Sequence, residues 1–177
     1  GTYSFAYTIA SFLAMTMASI DNSWAPIFLE ISEKNSRFSK VIGDYWTSYP
    51  LVLSLICIVF LSFAPFIINL LGGNEYKTSN NVMFWLVLGM FFQGLYMTFG
   101  KTIPMKKRTL LLASITIIVA LFNLILTIIL VPLLGIDGAA IATFISYMLL
   151  MLISLHFSQK IEKMELNYFQ LSKHVGI

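Results

Sequence analysis

Five stretches of almost unbroken apolar sequence decide what this chain can become. They cover roughly residues 3–29, 45–71, 80–100, 109–131 and 137–157. About 20 apolar residues let a helix cross the hydrocarbon core of a bilayer. Each stretch is too long for a strand, and none alternates with period two. Apolarity on every face belongs to helices surrounded by lipid or by other helices. Formal charge is nearly absent from the five: Asp21 is the clear exception, and Asp137 sits at the edge of the last. The expectation is an all-α polytopic membrane protein with five transmembrane helices over residues 1–158 and a cytoplasmic tail over 159–177.

Composition agrees and narrows the chemistry. The 177 residues are 58% hydrophobic and 11% charged, against about 25% charged in soluble domains. The lone cysteine, Cys57, leaves no disulfide framework, and no ligand set suits a metal cluster. Gly-rich phosphate loops, G-x-S-x-G and H-E-x-x-H are all missing. No catalytic residue, metal or cofactor is expected, and no nucleic-acid partner. His156 and His174 fall at the inner interface and in the tail, where solvated roles suit them. The chain opens on Gly1 and enters an apolar stretch at once, without the basic region and cleavage site of a signal peptide. It is expected to be a piece of a longer protein.

The connections set an orientation. The first carries Lys34, Arg37 and Lys40, the second Lys77 alone, and the third Lys101, Lys106, Lys107 and Arg108. The fourth has no base, and the tail has Lys160, Lys163 and Lys173. Alternate connections therefore collect the positive charge. Basic loops stay on the cytoplasmic side, so loops one and three and the C-terminus are expected inside and Gly1 outside. Lys101, Lys106, Lys107 and Arg108 read as cytoplasmic anchors on anionic lipid; contact with a phosphate-bearing lipid substrate is the alternative. Gly72-Gly73-Asn74 and Gly100 are expected to close the second and third helices. Pro132 is expected to stop the fourth, with Gly135 and Gly138 flanking the turn into the fifth.

Polar residues inside the spans fall in stripes. Gly89, Gln93, Tyr96 and Gly100 recur at steps of four, three and four, so they share one helix face. Thr116, Ala120, Asn123 and Thr127 repeat the pattern, and Gly138, Ala142 and Ser146 form a small-residue ridge. In the first span Ala6, Ala10, Ala14 and Ala18 recur every four residues, with Asn22 and Pro26 continuing the series. Such stripes either pack helices closely or line a path for a polar substrate. Asp21, Asn22, Gln93, Tyr96 and Asn123 are the candidates for that path.

Asp21 differs in kind. A charge at mid-membrane costs roughly 2.5–3.5 kcal/mol on insertion scales, and such acids face a bundle interior or a cavity. In the expected orientation it lies about 9 Å to the cytoplasmic side of the helix midpoint, at roughly 1.5 Å per residue. Residence near the inner headgroups is the plainer reading. Pro26 has no N–H, so the carbonyl of Asn22 loses its helical partner and the turn carrying Asp21 and Asn22 can bend.

Several of these stretches together resemble a known family. YSFAYTIASFLAMTMASIDNSWAPIFLE, with its Trp24-Ala25-Pro26 end, looks like the eighth helix of Wzx-type bacterial flippases for lipid-linked oligosaccharides. FFQGLYMTFG, then Lys106-Lys107, Asn123 and LVPLLGIDGAAIATFISY resemble the run into the last two helices. The run from Pro132 through Gly135 and Gly138 to Thr143 is similar to a motif of the wider multidrug, oligosaccharidyl-lipid and polysaccharide exporter superfamily. The resemblance covers essentially the whole chain. It implies two helix bundles related by pseudo-symmetry, with this chain as most of the C-terminal bundle and the N-terminal bundle missing. It further implies export of an undecaprenyl-diphosphate-linked oligosaccharide across the bacterial cytoplasmic membrane by alternating access, for O-antigen, lipopolysaccharide or other polysaccharide biosynthesis. The partners it implies are the bilayer, that substrate and the N-terminal bundle. The expected spans hold no Lys or Arg, so a cationic cavity lining is expected from the other bundle. A multidrug-type exporter, a lipid-phosphate enzyme and a non-catalytic membrane scaffold are the other readings; an enzyme would need paired acids or long outer loops.

Overall fold

Each apolar stretch becomes a helix. The computed structural model describes the backbone of residues 2–34, 38–72 and 79–161, and the side chains of 4–24, 26, 43–68, 70 and 81–161. Its elements are α1 (Thr2–Lys34), α2 (Phe38–Gly72), α3 (Ser79–Phe99), a single turn α4 (Thr102–Met105), α5 (Thr109–Leu134) and α6 (Ile136–Ile161), with no strand among the described residues. Among the described residues four segments are long and apolar enough to cross a membrane: Gly43–Ile68, Asn81–Met105, Thr109–Leu134 and Ile136–Ile161. At about 1.5 Å per residue, helices of 26 residues reach some 39 Å, more than the roughly 30 Å of hydrocarbon. The first stretch also forms a helix, of 33 residues, but it is the most polar of the set. The expected tail beyond residue 161, the Gly73-Asn74 turn, and the side chains of Lys34, Arg37, Lys40 and Lys77 lie outside the described residues.

α3 is the centre. It packs against α1, α2 and α6, while α5 leans chiefly on α6. Val82, Met83, Leu86, Val87 and Met90 of α3 are buried among Leu13 and Met17 of α1 and Leu53 of α2. Two glycines let neighbours close in on opposite sides. A Cβ on Gly94 would stand 2.9 Å from Leu53 Cδ2 and 3.1 Å from Met17 Sδ, and one on Gly89 3.4 Å from the Phe144 backbone of α6. Gly138 is stricter still, because a Cβ there would sit on the Leu130 carbonyl at the end of α5. The small-residue ridge of α6 is therefore a packing surface: Gly138, Ala142 and Ser146 are all buried. Ser158 extends it by donating to the Phe99 carbonyl at 2.6 Å, which satisfies an orphan acceptor at the end of α3.

One expected helix end moves and one holds. Pro132 does not stop α5, which continues through it to Leu134. A proline lacks only its own N–H, so later residues still donate, and the Gly135 N–H reaches the Val131 carbonyl at 2.9 Å. The stop falls at Gly135, whose φ of 62° is available to glycine. Gly100 does close α3, which ends at Phe99. Its N–H bonds the Tyr96 carbonyl at 2.8 Å, and the chain proceeds into α4. The terminator of α4 is Lys107, the one non-glycine residue with positive φ (58°) among the described residues. The Arg108 N–H reaches the Ile103 carbonyl and the Lys107 N–H the Pro104 carbonyl, the pair of bonds of a Schellman motif. A lysine thus holds a place where glycine is usual.

Candidate functional site

The extra turn α4 relocates Lys101. The loop reading placed it with the lipid anchors; the structure places it inside the apolar segment Asn81–Met105, between α3 and α4. The expectation of spans without Lys or Arg is corrected accordingly. On α1, the buried stripe runs Ala6, Ala10, Leu13, Met17, Asp21 at steps of three and four, with Ile9 beside it on the same face. Asp21 is the polar end of an apolar stripe, delivered to the interior by helical periodicity. Lys101 Nζ stands 2.7 Å from Asp21 Oδ1. It also donates to the Asp21 main-chain carbonyl at 2.8 Å. The two side chains are 18% and 11% exposed, so each charge is largely withdrawn from solvent and neutralised by the other. A lone acid there would carry the full desolvation cost; the pair offsets much of it.

Other polar groups gather at this junction. Tyr45 and Tyr49 of α2 stack with ring centroids 5.2 Å apart, and Trp24 of α1 lies 5.0 Å from Tyr45. Both phenols lie within electrostatic reach of Asp21 and of Thr98 on α3. The Tyr49 and Thr98 hydroxyls are both buried at this junction, within hydrogen-bond reach of each other. A cleft of about 200 Å³ opens beside the ion pair, walled by Asp21, Tyr96, Met97, Gly100, Lys101, Pro104 and Leu112. Sequence reasoning missed Tyr45, Tyr49 and Thr98. Tyrosines near a span end read as interfacial anchors, and one buried threonine leaves no pattern.

Asn22 parts from Asp21. One residue is about 100° of helix, so Asn22 is exposed while its neighbour is buried, and Pro26 is exposed with it. Tyr96 does reach the ion-pair cleft, whereas Gln93 is only half-buried on α3. Asn123 belongs elsewhere: its Nδ2 donates to Ser146 Oγ of α6 at 3.0 Å, and Ser146 donates in turn to the Ala142 carbonyl at 2.7 Å. Thr116, Ala120, Asn123, Thr143, Ser146 and Tyr7 wall a second cleft of about 380 Å³ between α1 and the α5–α6 pair. The candidate residues therefore divide between two places. Lys106, Lys107 and Arg108 are exposed on the α4–α5 turn. Among the described residues no group of three or more His, Cys, Asp and Glu is arranged to hold a metal ion.

The outward faces divide as well. α2 and α5 present large apolar side chains, among them Leu55, Ile58 and Phe66 on one and Ile117, Leu124 and Ile128 on the other. α1 presents a mixed face, with hydroxyls beside exposed Tyr7, Phe12 and Met15. Thr8, Thr16, Ser19 and Ser23 lie on its exposed side, each donating to the carbonyl four residues back.

No protein-family model matches the chain, and no solved structure does. The chain is similar to a curated protein, the probable low-salt glycan biosynthesis flippase Agl15 of Haloferax volcanii. The two are 24% identical over 173 residues, which is 97% of this chain and 37% of the relative's length. That relative is archaeal, so the similarity carries no bacterial origin.

Proposed function

We propose that this chain forms one helix bundle of a flippase that moves a lipid-linked glycan across the cytoplasmic membrane. The observation that carries the reading is the similarity along nearly the whole chain to a protein named as a glycan biosynthesis flippase. The finer reading is Wzx-type: an undecaprenyl-diphosphate-linked oligosaccharide, moved by alternating access between this bundle and a second one. It rests on the resemblance of the Trp24-Ala25-Pro26 and Pro132–Thr143 stretches to that family. α1 is taken as the fifth span, with Gly1 outside and the C-terminus cytoplasmic, as the distribution of bases favours. The difference between outward faces supports the arrangement. The mixed face of α1, with its row of hydroxyls among Tyr7, Phe12 and Met15, suits a glycan path or a partner bundle, while the more uniformly apolar faces of α2 and α5 suit lipid. A transporter of this kind forms and breaks no covalent bond, so Asp21 and Lys101 act by holding and releasing helices.

Deleting the full-length gene in its own host tests the reading. Surface glycan should fall while its lipid-linked precursor accumulates, and re-expression should restore export. Unchanged surface glycan with no precursor accumulation would overturn the proposal.

A further inference from the structure

The end of α3 opposite the ion pair carries another cleft, of about 400 Å³. Asn81, Phe84 and Trp85 of α3, Leu134 of α5, and Asp137 and Ile141 of α6 wall it. Asn81 opens one apolar segment, Leu134 closes another and Asp137 lies at the start of a third. The cleft therefore sits where three spans leave the hydrocarbon, at the level of the lipid headgroups. The Phe84 and Trp85 rings stand 5.4 Å apart at 74° to one another, and Phe144 braces the indole from α6 at 5.6 Å. Two aromatic walls nearly at right angles, with a carboxylate beside them, suit an ammonium group. The carboxylate is Asp137. Its Oδ1 is shielded from solvent and has no hydrogen-bond partner among the described residues. No Lys or Arg among those residues lines the cleft. Buried polar groups are nearly always satisfied. Rotation about Cβ–Cγ exchanges the two carboxylate oxygens, so a donor held in the cleft satisfies either one.

We propose that this cleft binds the headgroup of a zwitterionic phospholipid that carries a primary amine. Its ammonium donates to Asp137 and rests against Phe84 and Trp85. Its phosphate lies toward Asn81, whose side-chain amide donates, and toward the first turns of α3 and α6, which both begin at this end. Helix N-termini favour anions. The acyl chains follow the exposed apolar side of α5 from Leu134. Charge decides the class. A zwitterion brings one cation for Asp137 and one anion for the helix ends. An anionic phospholipid brings the phosphate alone and sets a second negative charge beside the carboxylate. A neutral sugar would meet the aromatic walls and the amide but leave the carboxylate uncompensated. The exposed bases Lys106, Lys107 and Arg108, at the other end of α5, have the reverse preference, for anionic lipid. The inference depends neither on what the protein transports nor on which side of the membrane this end faces.

Footprinting of Trp85 tests the site in wild-type protein. Purified full-length protein is oxidised by hydroxyl radicals with added short-chain phosphatidylethanolamine, short-chain phosphatidylglycerol, ethanolamine or maltose. Oxidation of Trp85 is read by peptide mass spectrometry against that of the exposed Trp24. Phosphatidylethanolamine should protect Trp85 saturably, and the other three should not. Equal protection by phosphatidylglycerol would overturn the charge argument. Protection by ethanolamine alone would make the occupant a free amine, and protection by maltose a sugar; either result overturns the lipid site, as does a Trp85 that no additive protects. A conservative variant supplies the second measurement. In native mass spectrometry of the full-length protein, Asp137→Asn should lower the preference for phosphatidylethanolamine over phosphatidylglycerol roughly tenfold, the scale of a hydrogen bond to a charged group. A preference unchanged by Asp137→Asn would contradict the assignment of the ammonium to that carboxylate.

Discussion

Two helix contacts, both polar, hold different parts of this bundle by different means. At one junction α1 meets the α3–α4 bend through a charged pair, Asp21 and Lys101. At the other, α5 meets α6 through neutral groups, Asn123 and Ser146, over a ridge of small residues. The neutral contact can be lost without stranding a charge, since Ser146 keeps its bond to the Ala142 carbonyl. The charged contact cannot, because either partner left alone is a largely buried ion. The α5–α6 hairpin is accordingly a packing unit. The α1–α3 junction is packed through Leu13 and Met17 along most of its length, but its Asp21 end is held only while both charges stay in place, which makes that end the better candidate for a contact that opens and closes.

Neutralising one member of the charged pair should break that contrast if it is misplaced. Lys101→Met alone should destabilise the protein by about 3 kcal/mol, the scale for an orphaned buried charge. Chemical denaturation of the purified full-length protein measures it, and an effect as small as that of a surface lysine would sink the assignment. Next comes the hairpin. Gly138→Val places atoms where the Leu130 carbonyl stands and should cost about 1–3 kcal/mol, the range for overpacking. Lys107→Gly should go the other way. Glycine relieves the positive φ of the α4 terminator, so a gain of about 1 kcal/mol in unfolding free energy is expected. The smallest change belongs to Asn123→Ala, at about 0.6 kcal/mol, the average for hydrogen bonds between membrane helices. A loss as large as that of Lys101→Met would mean that the neutral contact is no weaker than the charged one.

Most of the helices were legible because a span writes its length directly into the sequence. Asp21 was legible as well, since a lone acid in an apolar run stands out. Its partner was not. Lys101 follows Gly100, and a glycine before a run of bases looks like a helix end; only the further turn of α4 carries the lysine inside. The terminator escaped notice for the converse reason, as Lys107 occupies a position where glycine is the usual signal. Pairing Asn22 with Asp21 was a matter of adjacency, and helical rotation separates them. The alanine series suggested one stripe from Ala6 through Asn22. The structure keeps Ala6 and Ala10 buried and then follows Leu13, Met17 and Asp21 instead. In Asn123 the sequence showed a polar stripe but not its use, because packing and path-lining call for the same residues; its bond to Ser146 places it in the packing of α5 on α6.

The coupling between Asp21 and Lys101 is the most direct test of the account. A double-mutant cycle with Asp21→Asn, Lys101→Met and the double variant, read as unfolding free energies in choline chloride, isolates it. The account predicts that the double variant is at least as stable as either single one, because removing both charges leaves no buried ion unpaired. Strictly additive losses would show that the two groups do not meet.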